Sequence, residues 1–386
     1  MLYLRPQRMG VLLTCLIIIS VSAAEGFRSA PLTERDWPKL LQQAQRGNAK
    51  AQTRVAIAFK NGEFVKQDFA QAVKWFSEAA KQAYPIAESN LAVMYYQGQG
   101  VERNTTTAVQ WFEKAASHGL NEAQFNAARC YEVGIGVQQN LAKAFHLYRD
   151  AAESGYAPAE NNLAHMYEKG EGVAINPGAA VTWYRKSAML GHVRAEFNLA
   201  LMYSHGTGVA VDYKKAAEWM QKAAKQGHIE AQTALGEFYL RGLGVPQDDH
   251  LAAFWLEKGA SQGNATAEAE LGLLYLNGTG VSQNDALGAN WLLKAAEQDR
   301  HDAQAQLAAL YEWGRGVPRD PNRAYVWWLL SQDDATSKPG DQPRDFAYQL
   351  DEDNIADAER RASEWRLVHR PMHPAAELDL TTSPIP

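Results

Sequence analysis

The chain has 386 residues, a formal net charge of −6, 46% apolar residues and 21% charged residues. This is an ordinary globular balance, and it provides enough apolar material for a large core. A mildly acidic chain without basic clusters is a poor candidate for nucleic-acid binding, so we expect no nucleic-acid partner.

The N-terminus has the pattern of an export signal. Arg5 and Arg8 precede an apolar run at residues 11–21, and small residues follow at 22–24. This pattern predicts a signal peptide over residues 1–24 and a protein that is periplasmic or secreted. The apolar run is short for a membrane span, and no later segment is a candidate, so we predict no transmembrane span after cleavage. Lipidation at Cys15 is disfavoured because the apolar run continues beyond it.

Tryptophan recurs at a fixed period of 36 residues. It occupies Trp75, Trp111, Trp183, Trp219, Trp255, Trp291 and Trp327, and Leu147 fills the one empty place. Eight repeats therefore run over residues 48–335 without an insertion, and such a period indicates a solenoid.

The first half of each repeat reads as a helix and a loop. Ala51, Val55 and Phe59 have equivalents in later repeats, and their i, i+4, i+8 spacing places them on one helical stripe. Gly62 and its seven equivalents follow, where a glycine can adopt the left-handed conformation that ends a helix. A second glycine comes two residues later in seven repeats, and Phe64 replaces it in the first.

The second half of each repeat reads as a capped amphipathic helix. Asp68 and its equivalents are always Asp or Asn, which predicts a helix N-cap. Small and aromatic residues then recur at Ala72, Trp75, Phe76 and Ala79, which is the pattern of a buried helix face. A single repeat cannot bury this face alone, so neighbouring repeats must stack.

The segments that flank the repeats differ from them. Residues 25–47 resemble the second half of a repeat and predict an N-terminal capping helix. Residues 336–370 predict a linker and then a C-terminal capping helix with Ile355, Ala358 and Trp365 on one stripe. Residues 371–386 contain four prolines and few large apolar side chains, which predicts disorder.

The repeated residues resemble the Sel-one-like repeat, a relative of the tetratricopeptide repeat. The resemblance rests on Ala-x-x-x-Leu-Ala-x-x-Tyr, Gly-x-Gly-Val, Asp or Asn, and then Ala-x-x-Trp-Phe-x-x-Ala-Ala-x-x-Gly. We therefore predict an all-α fold, a right-handed α/α superhelical solenoid of eight helix-turn-helix repeats with capping helices. The resemblance implies an adaptor or scaffold, and some exported bacterial members engage host proteins.

The residues supply no catalytic or metal-binding set. The Gly-x-Gly loops lack the Lys-Ser/Thr of a phosphate-binding loop. His165 and Glu168 lie one helical turn apart, but a metal site needs three or four ligands. Cys130 occupies a place that methionine fills in other repeats, which indicates packing. We expect no enzyme activity, no cofactor and no metal.

The face of the first helix opposite the apolar stripe is the predicted partner-binding surface. Its residues vary between repeats, and first helices line the concave side of such solenoids. The predicted partner-binding residues are Val93, Tyr96, Phe125, Arg129, His165, Phe197, Leu201, Glu237, Leu240, Leu273 and Leu276. The alternative is that these side chains pack between neighbouring first helices, and the sequence does not choose between the two.

Two classes of function follow. The first is an exported scaffold or adaptor that binds another protein along the concave groove. The second is a protein that binds or hydrolyses an envelope component such as peptidoglycan or a β-lactam, although the sequence supplies no nucleophile. Asn104, Asn264 and Asn277 head glycosylation sequons, so an adaptor in the lumen of the endoplasmic reticulum is a further alternative.

Overall fold

A computed structural model describes residues 33–332 and 350–369 of the chain. These residues form 18 α-helices and no strand, with a short 3-10 helix at Glu34–Asp36. The predicted all-α solenoid is confirmed. The chain divides into an N-terminal part, Met1–Leu199 with Thr207–Ala210, and a C-terminal part, Ala200–Gly206 with Val211–Pro386.

Each repeat consists of two helices. The first helices are α2 (Ala49–Asn61), α4 (Pro85–Gln97), α6 (Asn121–Val133), α8 (Ala157–Lys169), α10 (Val193–His205), α12 (Ile229–Arg241), α14 (Ala265–Asn277) and α16 (His301–Trp313). The second helices are α3 (Phe69–Ala80), α5 (Thr105–Ser117), α7 (Leu141–Glu153), α9 (Pro177–Met189), α11 (Tyr213–Lys225), α13 (Asp249–Ala260), α15 (Asp285–Glu297) and α17 (Pro321–Ser331). Within each part, consecutive helices pack against each other, as α2 does against α3 and α14 against α15.

Further helices lie on either side of the repeats. Helix α1 (Trp37–Gln45) buries Leu40 and Ala44 against α2. Helix α18 (Glu352–His369) packs against α17, where Trp365 meets Trp327 edge to face at 6.3 Å. The predicted signal peptide, the linker residues 333–349 and the tail after residue 370 lie outside the described residues. None of the helices described is both long and apolar enough to span a bilayer.

The predicted helix ends are present in the structure. All eight second helices have a side-chain cap at the predicted Asp or Asn, as where the amide of Gln71 donates to Oδ1 of Asp68 at 2.9 Å. The glycine after the first helix is left-handed, with φ of 76° at Gly62. Each cap satisfies a backbone group that the helix leaves unpaired, so the polar loops fix where every helix begins and ends.

The repeated tryptophans lie at the edge of the core instead of inside it. The residue after the tryptophan is fully buried in six of the seven cases, as at Phe76, Phe112 and Met220, whereas Trp328 is half-buried. Four tryptophan rings are covered by the ammonium group of a lysine one turn later, at 3.7–4.0 Å from the ring centroid. The tryptophan therefore shields the core from solvent, and its outer face contributes a cation–π contact.

The second glycine of each loop allows the backbones of neighbouring repeats to touch. A Cβ atom at this glycine would lie 2.0–2.4 Å from the carbonyl oxygen of the first residue in the preceding second helix, in all seven repeats that have it. At Gly244 that oxygen belongs to Tyr213. Phe64 is tolerated in the first repeat, where its ring instead packs near Trp37 of α1 at 6.2 Å.

We expect Gly244→Ala to lower the thermal unfolding midpoint more than Gly227→Ala. Both residues have positive φ, of 68° and 89°, so alanine costs about 1–2 kcal/mol at either position. Only at Gly244 does the new methyl group meet backbone, which adds about 1–3 kcal/mol of overpacking. Circular dichroism melts of the two variants measure the difference, and equal midpoints would contradict the backbone contact.

Candidate functional site

The exposed surface of the first helices is a narrow stripe. It consists of the second, sixth, ninth and thirteenth residues of each first helix, which we call the first-helix stripe. In α12 these are Glu230, Ala234, Glu237 and Arg241, and in α14 they are Thr266, Glu270, Leu273 and Asn277. The spacing of four, three and four residues keeps them on one face. Most of these residues are half-buried or exposed in both parts of the chain.

The predicted binding residues fall into two groups. Val93, Phe125 and Leu276 are buried in the core, so the packing alternative describes these three and they leave the candidate surface. The half-buried group comprises Tyr96, Arg129, His165, Phe197, Leu201, Glu237, Leu240 and Leu273. Whether these residues bind a partner stays a prediction.

Packing against two second helices explains the burial of the first group. Phe125 lies between Tyr148 and Tyr156, with ring centroids 5.6 Å and 5.7 Å away. Leu276 fills the space left by Gly288 on α15, where a Cβ atom would approach its side chain to 2.8 Å. The prediction treated each first helix as having one buried side. Neighbouring helices cover each first helix on two sides, so its exposed face is narrower than predicted.

In the N-terminal part, carboxylates next to the stripe are held by buried tyrosines. The hydroxyl of Tyr148 donates to Glu132 at 2.7 Å, and that of Tyr184 donates to Glu168 at 2.9 Å. Burial, together with the adjacent carboxylate, raises the pKa of both tyrosines. The first two repeats have Phe76 and Phe112 at the corresponding place and no glutamate beside either, so within the N-terminal part the hydroxyl and the carboxylate occur together.

In the C-terminal part, two carboxyl groups meet on the stripe. Glu237 of α12 and Glu270 of α14 interact through their side chains and are half-buried. Burial and the charge of Glu237 raise the pKa of Glu270 to about 8, and burial also raises the pKa of Glu237. Two ionised carboxylates so close together would repel each other, so the pair favours a state in which one of them keeps its proton.

Charged groups of both signs surround this carboxyl pair. Arg300 donates through Nη1 to the hydroxyl of Thr266 at 2.8 Å and through Nε to Asp302 at 3.0 Å. Arg241 and Arg300 favour the ionised forms of Glu237 and Glu270, whereas Asp302 opposes ionisation of Glu270. These groups form a polar surface that can accept hydrogen bonds. Its net charge depends on the protonation of the Glu237 and Glu270 pair.

Sequence reasoning found Glu237 but missed Glu270, Arg241 and the exposed Trp313 of α16. The predicted face followed the fifth, ninth and twelfth helix positions, whereas the exposed face follows the second, sixth, ninth and thirteenth. Charged and polar residues are frequent at the second and thirteenth positions, and this pattern in the sequence could have indicated the exposed face.

We expect Glu270→Gln to stabilise the protein at alkaline pH. The folded protein raises the pKa of Glu270 from 4.5 to about 8, so the folded state holds this proton more tightly than the unfolded chain. Stability from this group is therefore lost as the pH rises between these two values. Glutamine keeps a donor toward Glu237 at every pH.

Thermal unfolding between about pH 5 and pH 9 measures this effect. The midpoint of the variant should exceed that of the wild type by a few degrees at the upper end and match it at the lower end. Glu257→Gln on α13, an exposed position, is the control and should show no pH-dependent difference. A constant offset at all pH values for Glu270→Gln would contradict the shared proton.

Comparison with known proteins agrees with this architecture. The Sel1 repeat matches residues 49–84, 85–120, 121–156, 157–192, 193–228, 229–264, 265–299 and 301–331. A Sel1 repeat protein from Oxalobacter formigenes is 32% identical, with a TM-score of 0.60, over 77% of this chain and 85% of its own. The protective antigen c5321 of uropathogenic Escherichia coli, which has an SLR fold, is 27% identical over 88% of this chain and 96% of its own, with a TM-score of 0.43. No curated protein matches the chain. Since the eight matched segments span residues 49 to 331, the chain belongs to the Sel1 repeat family.

Proposed function

We propose that this protein is an exported scaffold that holds a segment of a partner protein on the first-helix stripe. Sel1 repeat proteins are generally protein–protein interaction scaffolds. The observation that carries the proposal is the contrast between two sets of positions. The core positions keep the same residue types from repeat to repeat. The second, ninth and thirteenth positions of the stripe differ between neighbouring repeats, whereas its sixth position is asparagine in four of them. Variation on a fixed frame is expected of a surface that recognises one particular partner.

The stripe offers aromatic, aliphatic and charged side chains for binding. Trp313 is 75% exposed at the end of α16, and Leu201 and Leu273 are half-buried at the ninth position of their helices. A protruding tryptophan is the residue type that contributes most at interfaces, because it buries a large rigid surface. The Glu237 and Glu270 carboxyl pair and Arg241 would add hydrogen bonds that select among partners.

We expect Trp313→Ala to weaken partner binding at least about tenfold, since truncating an aromatic anchor costs about 1–2 kcal/mol or more. Binding is measured by quantitative affinity capture from envelope extract with the full chain immobilised, followed by titration of each captured protein. The unfolding midpoint should stay unchanged, because the side chain of Trp313 makes few contacts.

Phe254→Ala is the matched control, because Phe254 is an exposed aromatic residue of a second helix. A partner lost by Trp313→Ala and kept by Phe254→Ala supports the proposal. A partner that is lost only by Phe254→Ala would instead assign binding to the second helices. Turnover of a labelled muropeptide or β-lactam by the pure protein would favour the alternative function.

We also propose export, on the basis of the basic, apolar and small-residue pattern of residues 1–24. The protein recovered from the periplasm or the medium should begin at Ala24 or Glu25. Cell fractionation and N-terminal sequencing measure this. A full-length protein confined to the cytoplasm would refute export. The binding surface would still be tested by the Trp313→Ala experiment.

A further inference from the structure

A polar residue recurs at the fourth position of the first helices and is buried in seven of the eight. The eight residues are Gln52, Glu88, Gln124, Glu160, Glu196, Gln232, Glu268 and Gln304. In four of the repeats, this residue accepts a hydrogen bond from the residue 30 places later, at the end of the second helix. The donor–acceptor pairs are Gln82 to Gln52 at 2.8 Å, His118 to Glu88 at 2.9 Å, Gln262 to Gln232 at 2.7 Å and Gln298 to Glu268 at 2.7 Å.

Glutamine at the fourth position makes a second bond to the preceding repeat. Nε2 of Gln52 donates to the carbonyl of Ala44 at 3.2 Å, and Nε2 of Gln232 donates to that of Ala224 at 3.1 Å. Gln304 donates to Ala296 in the same way. The fourth position therefore lies between a backbone acceptor eight residues earlier and a side-chain donor 30 residues later.

The fourth repeat has the acceptors but lacks the donor. The residue 30 places after Glu160 is Leu190, which has no polar side-chain group. Glu160 is only 4% exposed, and its Oε2 atom is buried without a hydrogen-bond partner. An ionised glutamate cannot donate to the carbonyl of Ala152, the acceptor eight residues earlier. A buried acceptor without a hydrogen-bond partner destabilises the protein, so binding of a hydrogen-bond donor at Glu160 would be favourable.

The third repeat also lacks the side-chain donor, and Oε1 of Gln124 is likewise buried without a hydrogen-bond partner. There the residue 30 places later is Ser154, which donates to Asp150 instead. However, the fourth position is Gln124, whose own amide still donates to the carbonyl of Ala116, at 3.5 Å. Glu160 differs because it brings a carboxyl group and no donor.

Exposed apolar side chains lie at the end of α9, which packs against α8. Met189 is 74% exposed and Leu190 is 60% exposed, and α9 ends at Met189. The C-terminal end of a helix carries partial negative charge, which attracts cations. Burial raises the pKa of Glu160, and the positive charge of Lys186 on α9 counteracts this rise. A buried acid beside an exposed apolar pair is a place where a cation with an apolar stem would be stabilised.

We propose that the end of α9 in the fourth repeat binds an arginine side chain of a partner protein, flanked by an apolar residue. The guanidinium carries five N–H donors in a planar fork, so it can serve the Glu160 carboxylate and the Ala152 carbonyl together. Its methylene stem and the flanking residue would cover Met189 and Leu190. This binding place goes beyond the proposed function, because it uses none of the residues of the first-helix stripe.

The probe is the peptide acetyl-Leu-Arg-Leu-amide, and the reporter is the methyl group of Met189. The full chain has eight methionines, so 13C labelling of their methyl groups gives a simple spectrum in which Met189→Leu identifies the reporter. We expect a saturable shift of the Met189 signal, with a Kd of about 1–10 mM for so small a ligand. The same peptide with citrulline in place of arginine, a neutral isostere, should bind at least tenfold more weakly.

Glu160→Gln is the decisive variant, because four other repeats fold with glutamine at this position. Its amide can donate to Ala152, so the variant should unfold at the same temperature or a higher one while the response to the arginine peptide falls at least tenfold. Glu268→Gln is the matched control and should keep the full response, because Gln298 already pairs with Glu268.

Three results would overturn the proposal: an equal response to the citrulline peptide, a full response in Glu160→Gln, or no Met189 shift at about 10 mM peptide. These results are distinguishable from a failure of the proposed function, because that function is tested separately, by capture of envelope proteins with the Trp313→Ala variant. Leu190→Gln should restore the donor found in other repeats and also abolish the response. A Met189 shift that persists with the arginine peptide in Leu190→Gln would also contradict the proposed arginine site.

Discussion

The contact between a loop glycine and the first residue of the preceding second helix determines the register of the repeats. At Gly244 and its equivalents no side chain fits between the two backbones, so neighbouring repeats approach to a fixed distance. Alanines at the helix contacts keep the same close spacing, and Ala72 and Ala216 have no exposed surface. Because every repeat has 36 residues, a given position meets the same neighbours each time. The environment of a side chain is therefore determined by its place in the repeat, and only its chemistry is free to vary.

This constraint explains what the sequence predicted well and what it did not. The period, the caps at Asp68 and its equivalents, and the loop glycines are local signals, and they were sufficient for the fold and the helix ends. The binding face was harder to predict, because a helical stripe identifies one buried side and not two. The sequence places Phe125 on the helix face opposite the apolar stripe, but the rings of Tyr148 and Tyr156 cover its side chain. The contact between Glu237 and Glu270 likewise joins two residues that are 33 apart in sequence and lie on different helices, which no local pattern specifies.

The buried polar groups of the first helices are satisfied in different ways from repeat to repeat. The hydroxyl of Tyr148 donates to Glu132, and the carboxyl group of Glu237 interacts with that of Glu270. Gln298 supplies an amide to Glu268. Each solution places a donor against a carboxylate that packing has removed from water, and in each case an unpaired carboxylate would be destabilising. Glu160 fits the same rule, since its missing donor can come from another molecule or from its own proton.

A repeat of this kind can therefore change what it binds without changing its shape. Glutamate and glutamine have nearly the same size, and both occur at the fourth position of the first helices in otherwise similar repeats. The exchange alters only whether the side chain can donate, so it converts an internal link between repeats into an acceptor for an outside group. The same reasoning applies to the first-helix stripe, where the ninth position is leucine in some repeats and glutamate in another while the tenth position stays apolar and buried. Because the register is held by glycine and alanine, neither kind of change disturbs the stack, and binding surfaces of different chemistry can coexist in one solenoid.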